Sequence, residues 1–144
     1  MEVNEAKTLI AAMEALVNTR LKQFIYGTDD ETLASYLGKE LLRTESTIAF
    51  AESCTGGLAS SLVTDVPGSS EYLLGSAVTY SNMAKHKLIN VSEESLEAYG
   101  AVCWQVACEM AQGVRELFGT TYGVGITGIA GPGGATEDKP VGLV

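Results

Sequence analysis

Histidine and cysteine are scarce in this chain: among 144 residues there is one His, His86, and three Cys, Cys54, Cys103 and Cys108. An odd number of cysteines without paired ligand spacing, joined by one imidazole, cannot assemble a Cys/His metal centre, so reduced thiols in a cytoplasmic setting and no bound metal are expected. The lone His also argues against a Ser-His-Asp triad. Basic residues are few: 9 Lys and Arg stand against 18 Asp and Glu, for a formal net charge of −9. Such a field repels phosphate backbones and anionic lipid, which argues against a nucleic-acid or membrane-surface partner. No apolar run approaches the ~18 residues of a membrane span. The acidic start, Met1-Glu2-Val3-Asn4-Glu5, has no cationic region, so no export signal is expected. What is plentiful is apolar content, 46% against 19% charged, enough to bury one core in a chain of single-domain length.

From Ala6 to Phe24 the apolar residues Leu9, Ile10, Met13, Leu16, Val17 and Leu21 recur at steps of three and four, which predicts an amphipathic helix that needs a partner surface. Gly27 then offers a helix stop, and Thr28 with Glu31 reads as a capping box for a second helix over about 29–43. The β-branched, apolar stretch 47–51 predicts a buried strand, followed by the turn Glu52-Ser53-Cys54-Thr55-Gly56-Gly57 and a helix over 58–64. Further along, the pattern predicts a strand over 74–80, short helices over 81–89 and 92–99, a long helix over 104–118 and a strand over 121–127. The last five residues, Pro140-Val141-Gly142-Leu143-Val144, read as the first half of a strand, and the chain as a piece of a longer protein. Helices alternating with strands predict a layered α/β domain.

Two turns carry chemistry-bearing residues. The 52–57 turn joins the end of an apolar strand to the start of a helix, the edge where open α/β sheets hold ligands, and free N–H groups there favour an anion or a developing oxyanion. The same residues serve equally well as an N-cap and a close helix–strand contact. The second turn, 127–134, has four glycines between Gly128 and Gly134 and can present successive N–H groups as an anion nest; it also suits a wide connection whose glycines take positive φ. With His excluded as base, lysine is the alternative, since a Lys in a partly apolar pocket loses its proton readily and can activate a serine. Lys85, five residues beyond the strand-end Tyr80, is the best placed, although a solvated helix lysine fits the same pattern. Cys54 reads either as an activated thiol or as apolar filler.

Ala51 to Gly57, Val66-Pro67-Gly68-Ser69-Ser70, Thr79-Tyr80-Ser81-Asn82-Met83-Ala84-Lys85, Gly100-Ala101-Val102, and Thr127 to Gly134 with Lys139-Pro140-Val141-Gly142 together resemble the competence-damage-inducible CinA C-terminal domain family. The resemblance covers about 26–144 and implies an α/β/α sandwich around a mixed sheet. It divides the chain into an N-terminal helix and junction, 1–27, and an amidase domain, 28–144, incomplete at its C-terminal end. The family pattern has Ser where this chain has Cys103, a substitution close in size. Stand-alone members of the family hydrolyse nicotinamide mononucleotide to nicotinic acid mononucleotide and ammonia without a cofactor. By resemblance, Ser53 is the nucleophile, Lys85 its base and Tyr80 a hydroxyl near both. Glu52, Thr55, Gly56, Gly57, Thr127, Gly128, Gly131 and Gly133 are then expected to hold the substrate. The competing class is a catalytically silent ligand-binding or oligomerisation module of a full-length CinA protein; a role in DNA uptake ranks last, given the charge of −9. A small-molecule nucleotide substrate and a homodimer or higher homo-oligomer are the expected partners.

Overall fold

The computed structural model describes residues 3–144 and divides into two compact units, the first reaching to Tyr36 and the second spanning Leu37–Val144. In the first unit, helix α1 spans Val3–Leu21 and tightens into a 3-10 turn over Lys22–Phe24. No Gly or Pro falls between 3 and 24, and Ala, Leu, Met, Glu and Lys dominate, so nothing breaks the helix. The expected apolar stripe is present and faces solvent: none of the α1 residues is buried. Tyr26 and Tyr36 stack at a tilt, their centroids 6.3 Å apart.

Helix α2, Leu33–Arg43, starts later than the sequence suggested. The chain turns through a left-handed Asp29, φ 53°, and the cap falls to Thr32, whose hydroxyl accepts the Ser35 N–H at 3.1 Å. The Thr28–Glu31 pair makes a backbone turn instead, the Glu31 N–H donating to the Thr28 carbonyl at 3.1 Å. A threonine at the first competent position outcompeted the one four residues earlier because the left-handed residue resets the backbone between them.

In the second unit, β1 (Ile48–Glu52) lies between β2 (Leu73–Val78) and β3 (Tyr122–Ile126), in the order β2-β1-β3. This is the expected layered α/β fold, and both strand pairings among the described residues are parallel. Five helices surround the sheet edges and faces here or lead into it: α2, α3 (Leu58–Thr64), α4 (Asn82–Ile89), α5 (Glu93–Tyr99) and α6 (Trp104–Phe118). Every residue of β1 is buried, and its side chains alternate between two cores. Ala49 and Ala51 face Ile89, Val91, Val106, Met110 and Val114; Ile48 and Phe50 face Leu41, Val63 and Tyr72. Period-two alternation of a central strand explains why one apolar run serves two layers.

The face toward α6 is built from small residues. A Cβ on Gly125 would sit 2.2 Å from the Ala107 carbonyl oxygen, and one on Gly123 would sit 2.0 Å from that of Ala111. Glycine is required at both positions because strand and helix backbones touch there. The segment 140–144 forms no strand: the Ile129 N–H donates to the Leu143 carbonyl at 2.9 Å and the Gly142 N–H to the Ile129 carbonyl at 2.8 Å, so these residues close the glycine-rich loop. Gly142, at φ 91°, turns the chain where a strand would have run on.

Candidate active site

Three parallel strands deliver their carboxyl ends to one edge of the sheet, and the end of β1 and the α4 helix that follows β2 bring Ser53 and Lys85 together there. Ser53 follows Glu52, the last residue of β1, and its N–H donates to the Ile126 carbonyl at 2.9 Å. Thr79 and Tyr80 follow β2, and the Ser81 hydroxyl caps α4 by accepting the Ala84 N–H. That cap fixes the first turn of α4, and Lys85 comes one turn later on the face that points back at β1. Its Nζ lies 3.0 Å from Ser53 Oγ, 2.9 Å from the Thr79 carbonyl oxygen and 3.4 Å from that of Tyr80.

Lys85 is 1% exposed. Burial pushes its ammonium below the ordinary 10.5, and the Cys54 thiol acts weakly the other way. The three contacts suit either protonation state. An ammonium donates to all three oxygens; a neutral amine donates to the two carbonyls and turns its lone pair to the Ser53 hydroxyl, which then donates. Among the described residues no carboxylate pairs with Lys85, so desolvation outweighs the opposing effect of Cys54 and makes the ammonium easier to deprotonate than that of a solvated lysine. Ser53 is itself 7% exposed, and reduced hydration at both groups strengthens the hydrogen bond between them.

Glu52 has a different place from the one its sequence position suggested. The carboxylate is fully buried and accepts the N–H groups of Gly57 (3.0 Å), Ala59 (3.0 Å) and Ser60 (2.8 Å) together with the Ser60 hydroxyl (2.8 Å). Burial alone would raise this carboxyl; hydrogen bonding from the Thr55 side chain, Ser60 and Ala59 outweighs it and holds the group below its usual 4.5. The Thr55 hydroxyl oxygen is buried and has no partner within strict hydrogen-bond geometry, so the close contacts to the carboxylate are those from Gly57, Ala59 and Ser60. The start of α3 is thus occupied by the chain's own carboxylate, and no substrate anion can use those N–H groups. Gly57 makes this possible, since its φ of 103° turns the chain into α3 with its N–H aimed at Glu52. The N–H groups of Cys54 and Thr55, the two residues after Ser53, have no acceptor.

A cleft of about 290 Å³ opens over this pair. Ser53, Tyr80, Lys85, Thr127, Gly128, Gly131 and Gly133 line it; Glu52, Thr55, Gly56 and Gly57 do not. Tyr80 reaches Lys85 through its carbonyl, while its side chain is 73% exposed at the mouth. The Thr127 hydroxyl donates to the Ala101 carbonyl at 2.8 Å, tying the end of β3 to the 100–102 loop that forms another wall. In the glycine-rich loop the N–H groups of Gly128, Ala130, Gly131, Gly133 and Gly134 find no acceptor, and all five residues line the cleft. The Thr79 carbonyl was not foreseen as a partner of Lys85, because a backbone oxygen leaves no trace in residue identity. Among the described residues no group of three or more His, Cys, Asp or Glu is arranged to hold a metal ion, and no helix is long and apolar enough to cross a membrane.

Residues 30–144 match the family model described as the CinA C-terminal domain. A Moorella thermoacetica protein, provisionally named a competence-damage inducible protein, is 55% identical over 139 residues, which is 96% of this chain and 34% of that protein. A CinA-like protein of Prochlorococcus marinus is 46% identical over 140 residues, 97% of this chain and 33% of the relative. A solved CinA superfamily structure from Escherichia coli superposes with a TM-score of 0.75 at 34% identity, over 87% of this chain and 74% of its own. The competence/damage inducible protein of Agrobacterium tumefaciens gives 0.73 at 38% identity, over 82% and 72%. The chain spans about a third of the length of the curated relatives it matches.

Proposed function

The chain belongs to the CinA C-terminal domain family, and on that basis we propose that it is an amidohydrolase that deamidates nicotinamide mononucleotide to nicotinic acid mononucleotide and ammonia. The observation that carries this reading is the buried Lys85 amine 3.0 Å from Ser53 Oγ, an unpaired base against a hydroxyl nucleophile at a strand end.

In the proposed reaction the Lys85 lone pair takes the Ser53 proton while Oγ attacks the carboxamide carbon. The oxyanion that forms accepts from the free N–H groups of Cys54 and Thr55. The Lys85 ammonium returns its proton to the amide nitrogen, the C–N bond breaks and ammonia leaves an acyl ester on Ser53. Water, deprotonated by the same lysine, attacks that ester, and the Ser53 oxygen departs with the proton to leave a carboxylic acid that ionises. The glycine-rich loop, with its unfilled N–H groups, supplies the place for the nucleotide phosphate. Thr127 and Tyr80 stand at the wall and the mouth.

Incubating the purified chain with nicotinamide mononucleotide is expected to release ammonia and nicotinic acid mononucleotide in equal amounts, and Ser53→Ala to abolish both. If neither product forms with the wild-type chain, the reading falls and the catalytically silent ligand-binding or oligomerisation module takes its place.

A further inference from the structure

Helix α1 carries a pattern that catalysis does not use. Counted from Val3 in sevens, Val3, Ile10 and Val17 take the first position and Ala6, Met13 and Arg20 the fourth, the seam of a coiled coil. Leu9 and Leu16 widen that seam on one side. Lys7 and Glu14 flank it on the other. The large apolar side chains of the stripe are open to solvent: Ile10 is 66% exposed, Met13 61%, Leu16 56% and Leu9 54%. A groove of about 590 Å³ runs over Leu9, Ile10, Met13 and Val17, with Thr28 and Asp29 at its edge. The outward positions hold Asn4, Glu5, Thr8, Asn18 and Thr19, with alanines between, and the Thr8 and Thr19 hydroxyls fold back onto carbonyls of their own helix. A contiguous apolar stripe of this size on a helix calls for a cover.

We propose that α1 pairs with α1 of a second copy of this chain, antiparallel and about a two-fold axis. Charge complementarity selects both the occupant and the direction. With the helices antiparallel and Ile10 against the partner's Met13, Ala6 meets the partner's Val17 and Leu9 lies beside the partner's Leu16. Lys7 then faces the partner's Glu14, and Glu14 the partner's Lys7, so the two-fold makes both ion pairs at once. A parallel pair would set Glu14 beside the partner's Leu9 and leave Lys7 and Glu14 without opposite charges. Neither residue has a countercharge three or four positions away on its own helix, so their placement is unexplained by helix stability alone. Opposed helix dipoles add to the preference.

The test is sedimentation equilibrium of the whole chain across the micromolar range. The wild-type chain is expected to show a concentration-dependent monomer–dimer equilibrium. Lys7→Glu and Glu14→Lys each turn two attractions into two repulsions and are expected to weaken the dimer on the order of tenfold. The double variant restores it, and an equimolar mixture of the two single variants forms the heterodimer in preference to either homodimer. Circular dichroism controls for the helix itself. A monomer throughout overturns the proposal. So does a dimer indifferent to the single swaps, which places the interface elsewhere, or a double variant as weak as the singles, which removes the pairing.

Discussion

Replacing Glu52 by Gln keeps the shape of the side chain and removes its charge from the start of α3. The carboxylate accepts four hydrogen bonds, from Gly57, Ala59 and twice from Ser60. A glutamine has one accepting oxygen, so whichever way the amide turns, its NH2 faces at least one backbone N–H. If the nitrogen takes the position of Oε1, the Ser60 hydroxyl can reverse and accept from it, but the Ser60 N–H is stranded. In the other orientation the Gly57 and Ala59 N–H groups are both stranded. Losing one or two charge-assisted bonds with a buried donor left unsatisfied costs about 2–4 kcal/mol. With an m-value near 2 kcal/mol/M in urea, that corresponds to a midpoint lowered by about 1–2 M. The measurement is urea unfolding followed by far-ultraviolet circular dichroism, at neutral pH and again in acid. Glu52 is held below 4.5 when folded, so the unfolded chain binds more protons between the folded value and 4.5. Its contribution is complete above 4.5 and is lost as the pH falls through the folded value. The gap between wild type and Glu52→Gln is therefore expected to be widest at neutral pH and to narrow in acid. Equal midpoints at neutral pH, or a gap that stays constant on acidification, would show that the carboxylate is not holding this helix start.

Lys85→Met is expected to lower ammonia release from nicotinamide mononucleotide by about 10²–10⁴-fold, the range of a lost general base, with the remaining rate no longer rising toward alkaline pH. The same variant has a signature that needs no substrate. Because burial depresses Lys85 below 10.5, the unfolded chain binds more protons between the folded value and 10.5, so wild-type stability rises with pH across that window; Lys85→Met is expected to flatten this slope, and an unchanged slope would leave the amine uncoupled to folding. Gly125→Ala presses a methyl group to 2.2 Å from the Ala107 carbonyl oxygen and is expected to cost about 1–3 kcal/mol as overpacking, read as a lowered thermal midpoint with little change at Gly133→Ala, where a Cβ meets nothing within 4 Å.

Much of the architecture is written locally. Three- and four-residue apolar spacing marked α1 and α6, the β-branched run marked β1, and Ser81 and Ser92 stood where helix caps were needed. These follow from backbone propensity and side-chain period, which act over one or two turns and can be read without a fold. The order of motifs from Ala51 to Gly142 pointed to the family for the same reason, since it is a property of the chain alone. Chemistry depended on distance in space. Ser53 and Lys85 are 32 residues apart and meet because two parallel strands end at one edge and a capped helix turns back over them. Position in the sequence made Lys85 the best-placed lysine but left a solvated helix residue as an equal fit; the fold buries it and sets it against two carbonyls and a hydroxyl, because burial is a sum over residues from many segments. Glu52 reversed its expected part for that reason too: the sequence shows a carboxylate beside a glycine turn, while the left-handed Gly57 and the placement of α3 decide that it binds the helix rather than a ligand.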